Sequence, residues 1–194
     1  MTLMPGLGAH LRRGLTAGEI RMAALLFGDA IDYPRVHIYQ RRYLPFGLQP
    51  KNCAMTPNGA MYFHKSCCLV DFSAATERDR HWFMHEMVHV WQHQLGYPVR
   101  LRGAVRIGLS YQYELAPGKT LSDFNMEAQG DLLADYFVLK FLHAPKSMRQ
   151  PRYADSLDLF EAVLAGFLRD PAASAQLPKH QWRFSLQFPA QWTR

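Results

Sequence analysis

Apolar positions recur at intervals of three and four in several stretches of the chain, and alternate in shorter runs between them. The first interval is that of a helix with one buried face, the second that of a half-buried strand. A helix is expected over residues 17–28, opened by Thr16-Ala17-Gly18-Glu19, whose spacing is that of a capping box. After Pro34 the run RVHIYQ alternates as a strand does, AMYFH after the turn PNG does the same, and CCLVDF reads as a third short strand. Thr76 then caps a long helix that Gly96 and Pro98 bring to an end. Residues 97–121 read as loop with one strand over 111–115, and two further helices are expected over 124–143 and 154–169. The tail from Pro171 carries Trp182 and Trp192 without periodicity. Strands before and helices after predict an α+β fold: an N-terminal arm over 1–15 and a single domain over 16–194.

Composition narrows this picture without changing it. At 194 residues the chain has the length of one ordinary domain and buries a core without disulfides. Charged residues are 20% of it, the balance of a soluble globular protein. A net charge of +6 suits approach to an anionic partner such as an inhibitor, an envelope surface or nucleic acid. The cations are scattered, however, and the pairs Arg12-Arg13 and Arg41-Arg42 are too short for a nucleic-acid patch, so the charge is read as solubility. Cys53, Cys67 and Cys68 form neither a disulfide framework nor a Cys-x-x-Cys zinc site, which is compatible with synthesis in a reducing cytoplasm. No signal peptide and no membrane span are read, since the longest early apolar run, MAALLF, lies inside an amphipathic pattern.

The chemistry concentrates in HWFMHEMVHVWQHQ, where His81, His85, His89 and His93 follow one another at spacing four. Phe83, Met84, Met87, Val88, Val90, Trp91 and Leu95 form the core face of this helix, and the histidines with Glu86 form the complementary arc. His85-Glu86-x-x-His89 is the helical zinc-peptidase motif: two imidazoles one turn apart reach one metal, and Glu86 reaches a water on it as general base. His85 and His93 lie about 12 Å apart along the axis, too far for one ion. Gln92 and Leu95 stand where the extended metzincin pattern needs Gly and His. A third ligand must therefore come from elsewhere, and His81 and His93 are read as flanking residues.

In NMEAQGDLLADYF, Glu127, Asp131 and Asp135 fall at spacing four on a helix apolar nearly all round. Carboxylates buried in this way need a cation or donors. A zinc ion held by His85, His89 and Glu127 supplies that compensation, with Asp131 accepting the free N–H of a ligating histidine. Glu-x-x-x-Asp on a following helix is the gluzincin arrangement. Tyr111, Tyr113, Tyr136 and His143 all qualify by type as the donor to a developing oxyanion, and the sequence does not choose among them. The strand AMYFH reads either as an edge on which an extended peptide substrate pairs or as an ordinary core strand.

HEMVHVWQHQLG and FNMEAQGDLLADYF together resemble a group of bacterial zinc metallopeptidase domains, found as toxic extensions of type VI secretion VgrG spike and Rhs proteins and as stand-alone effectors. GDAIDYPRVHIY, PNGAMYF and VDFS are similar to that group's lead-in to the zinc helix, so the likeness spans residues 16–143. It implies a zincin-like fold, one zinc on His85, His89 and Glu127, Glu86 as base, and an antibacterial effector with a protein or peptide substrate. It further implies a cognate immunity protein and delivery by a VgrG or Rhs partner from the producing cytoplasm into the periplasm or cytoplasm of a target cell. Two other readings stand beside it: a zinc-stabilised binding module without catalysis, and a peptidase acting on cell-wall peptides.

Overall fold

Thr16 accepts the Glu19 amide at 3.0 Å while the Glu19 carboxylate accepts the Thr16 amide at 2.8 Å, so helix α1 (Ala17–Phe27) begins at its capping box. The same carboxylate, fully buried, accepts two N–H bonds from Arg13 at 2.7 and 2.8 Å and one from the Phe72 amide at 2.9 Å. One side chain thus joins the chain before α1 to the segment before the next long helix. The computed structural model describes residues 12–104 and 109–179. Residues 1–11 of the expected arm, and Trp182 and Trp192 of the tail, lie outside them.

Residues 12–14 of that arm form strand β1 (Arg12–Gly14), antiparallel to β2 (His37–Tyr39), which is parallel to β3 (Met61–Tyr62). The sheet order is β1-β2-β3, with Arg13 opposite Ile38 and Ile38 opposite Met61. Ile38 and Met61 face the core, as the alternation predicts. The outer edge of β3, open to a peptide on one of the two readings, is occupied at Tyr62 by an antiparallel bridge to Met55.

Two expected strands are absent, and for one reason. In 67–72 the Cys67 and Cys68 amides return to His64 O, the Phe72 amide goes to Glu19, and a 3₁₀ turn starts at Phe72. In 111–115 the Leu115 amide bonds the Tyr153 hydroxyl and Tyr113 O accepts from Arg152. A local turn and side chains, rather than a neighbouring strand, satisfy these backbones. Part of the expected 97–121 loop is a short helix, α3 (Val99–Ala104).

Helix α2 (Glu77–Gln94) packs along α4 (Met126–Lys140), and α5 (Leu157–Arg169) closes the core beside them. Thr76 caps α2, and the Asn125 side chain accepts the Glu127 and Ala128 amides to cap α4. From Phe83 to Gln92, and from Ala128 to Val138, every residue is buried. The polar arc expected for α2 is therefore interior at His81, His85, Glu86 and His89, and reaches the surface at His93. Phe27, Trp91 and Phe167 meet ring to ring under α2, and the Trp91 indole donates to Pro171 O at 2.7 Å. No described helix is long and apolar enough to cross a membrane.

Candidate metal centre

Helix α2 supplies His85 and His89 one turn apart, and the first turn of α4 brings Glu127 against them. His85 Nε2 and His89 Nε2 stand 3.2 Å apart, and Glu127 Oε2 is 3.3 Å from each. A tetrahedral zinc with bonds of about 2.0–2.1 Å places neighbouring ligand atoms about 3.3–3.4 Å apart. The triangle of donors thus has the dimensions of one face of that tetrahedron, and two nitrogens with a carboxylate oxygen are a donor set zinc accepts.

The opposite ring nitrogens hold the imidazoles in place. His85 Nδ1 lies 2.8 Å from Asp131 Oδ1, and His89 Nδ1 lies 2.9 Å from Gln92 Oε1. With the proton of the neutral imidazole held on each of these nitrogens, the Nε2 lone pairs are the ones a metal beside Glu127 would use. Gln92 is itself fixed by donating to Gln129 Oε1 and Met126 O, and Gln129 donates on to Leu121 O and Gln176 O. The two glutamines, both fully buried, escape sequence reading because an uncharged amide follows no spacing rule.

Glu86 is buried beside the triangle, and the buried Thr56 hydroxyl donates to its Oε2 at 2.5 Å. Nothing in the sequence links Thr56 to the motif, because the contact crosses from the segment that pairs with β3. Of the expected oxyanion donors, Tyr111 is at the site: its ring stacks on that of His85 at 5.9 Å and is 48% exposed. Tyr113 is turned inward, its hydroxyl donating to Asp135 Oδ2 at 2.5 Å. Tyr136 points to Glu161, and His143 is exposed beyond the end of α4. His81 is an interior residue, its Nε2 2.7 Å from Asp135 Oδ1, whereas His93 is exposed and packs against Gly59.

Burial of both imidazoles favours their neutral forms, and the surrounding carboxylates outweigh it. The His85 pKa is raised to about 10, burial pushing it down while the hydrogen bonds to Asp131 and Glu127 and the charge of Glu86 push it up further. His89 is raised against the same burial by Glu127. Glu127, although burial pushes it up, is held well below the usual carboxylate range by His89 and His85. The protein without metal therefore holds protons where three carboxylates call for positive charge.

No protein-family model matches the chain. Over 145 residues, 71% of its length, it is 43% identical to the type VI secretion system spike protein VgrG2b of Pseudomonas aeruginosa. It spans 14% of the length of that spike protein. The solved effector domain of Pseudomonas aeruginosa VgrG2b matches with a TM-score of 0.66 and 40% identity, over 84% of this chain and 89% of that one. At that identity and coverage, the chain belongs to the family of the VgrG2b effector domain.

Proposed function

We propose that the chain is a zinc-dependent metallopeptidase with a zincin-like, gluzincin-type site, acting as an antibacterial type VI secretion effector. The observation that carries this reading is the triangle of His85, His89 and Glu127 donors with sides of 3.2–3.3 Å and the carboxylate of Glu86 beside it. Zinc, when bound there, lowers the pKa of a water and polarises the scissile carbonyl. Glu86 takes the proton of the attacking water and hands it to the leaving amine. Thr56 holds one oxygen of Glu86, and among the described residues nothing else donates to that carboxylate, which leaves it an acceptor for the water. Tyr111, over His85, offers its hydroxyl to the developing oxyanion. Asp131 and Gln92 keep the two imidazoles in register throughout.

The family supports delivery on a VgrG-type carrier into a target cell. A protein or peptide substrate there, and a cognate immunity protein in the producer, complete the proposal. Glu86 separates this reading from a zinc-stabilised binding module, which has no use for a buried carboxylate whose charge acts on both histidines. Purified protein is expected to hold one zinc per chain. Glu86→Ala is expected to keep that zinc and lower both casein cleavage and toxicity on export to the periplasm by about 10²–10⁴-fold. Metal retained with full toxicity and cleavage would assign the ion a purely structural role. Cleavage of peptidoglycan stem peptides in place of casein would assign the enzyme to the cell wall.

A further inference from the structure

Between Asp32 and Asp71 the chain has no acidic residue, while Arg35, Arg41, Arg42, Lys51 and Lys65 fall in the same stretch. Arg13, Lys140 and Lys179 pair with carboxylates, but Arg41, Arg42, Lys51 and Lys65 have no carboxylate partner among the described residues. Arg41 lies over the Tyr39 and Tyr62 rings at 5.2 and 5.9 Å. Arg42, Lys51 and Lys65 surround His64: desolvation and then these cations, Arg42 foremost, hold its imidazole below the ordinary value.

Three residues after Arg42 the chain makes the turn Pro45–Gly47. It is a built loop: the fully buried Gln49 accepts the Tyr43 amide at 2.7 Å and donates to Cys53 O at 2.8 Å and Tyr62 O at 3.1 Å. At its tip Phe46 is 98% exposed and sits at φ 54°, a left-handed conformation that costs a phenylalanine stability; Leu48 is 69% exposed. A ring wholly in water on a strained backbone contributes nothing to the fold, so its use lies outside it.

We infer that the Phe46–Leu48 tip and the cations behind it dock the protein on an anionic phospholipid surface, the two side chains entering the headgroup layer. Apolar tips backed by unpaired cations suit that interface, where aromatic rings settle and anionic headgroups attract Lys and Arg. Leu48 has no ring to stack on a base, which argues against a nucleic-acid partner. The docking is independent of the peptidase chemistry.

The test is co-sedimentation of the whole chain with vesicles of phosphatidylglycerol and phosphatidylcholine, or of phosphatidylcholine alone. Partition into the anionic vesicles is expected to exceed the neutral ones at least tenfold and to weaken with salt. Neutralising Arg41, Arg42, Lys51 and Lys65 to Gln is expected to lower it about fivefold per cation. Phe46→Gly suits the positive φ, so its thermal midpoint is expected to hold or rise while anionic partition falls about tenfold. Equal partition into both vesicles, no partition, or partition untouched by Phe46→Gly overturns the inference. So does tight binding of a short DNA duplex without binding of vesicles.

Discussion

Gly130 has no side chain where the His85 ring lies against α4: a Cβ there would stand 2.6 Å from His85 Cε1 and 2.7 Å from Nδ1. Gly130→Ala is therefore predicted to tilt the ring away from Asp131 while leaving every donor in the chain. Zinc affinity should fall about 10–100-fold, with overpacking destabilising the fold by about 1–3 kcal/mol. Titration with zinc beside urea unfolding checks this, and an affinity equal to the parent's would mean that the ring has room. The fold brings His85, His89 and Glu127 together as their spacing and burial lead one to expect, because both helical periodicity and the scarcity of buried carboxylates are legible in a sequence. Gly130, Gln92 and Thr56 were not legible. Their roles depend on which element lies opposite, and a glycine, an amide and a hydroxyl have many ordinary uses. Nor does sequence separate Tyr111 from Tyr113, two residues apart yet one beside His85 and the other buried on Asp135.

Helix α4 carries its three carboxylates in a row, and the third serves the architecture. Asp135, fully buried, pairs with His81, accepts the Tyr113 hydroxyl and takes the Arg149 and Gln150 amides at 2.6 and 3.0 Å. It thereby ties α2, the segment bearing Tyr111 and the chain after α4 to one point. Asp135→Ala would leave a buried imidazole, a hydroxyl and two amides without their acceptor, a loss of about 3–5 kcal/mol. A urea midpoint within error of the parent's would show those donors finding other acceptors. The four long helices were legible in outline because caps and periodicity are local, and their ends shifted by only a few residues. The strands were less so: β1 is three residues long, and the runs at 67–72 and 111–115 bond to side chains that only the fold brings near.

At the scale of the molecule, the site couples metal, protons and stability. His85, raised from its ordinary 6.5 to about 10, adds stability to the metal-free fold that is complete below about pH 6.5 and lost as pH rises through about 10. Glu127, depressed from its ordinary 4.5, adds stability present above about pH 4.5 and lost as the pH falls further. On the proposed zinc site both imidazoles must be neutral, so uptake releases the His85 proton and, where it is still bound, that of His89, and affinity is predicted to rise at least about tenfold per pH unit up to about pH 10. Competition against a chelator at several pH values measures this; a flat profile would show that no proton leaves. The pairing of α2 with α4 has a consequence for how the site comes apart. His89 and Glu127 are 38 residues apart in the chain, and the His81–Asp135 contact spans 54. Closing such loops costs entropy that local contacts cannot offset, so these links form and break with the docking of the helices rather than before it. A chain opened between α2 and α4 keeps the local pair His85 and His89 and loses Glu127, Asp131 and Asp135 in a single step. The donor triangle is therefore either complete or absent, and unfolding between the two helices acts as an all-or-none switch on whatever the triangle holds.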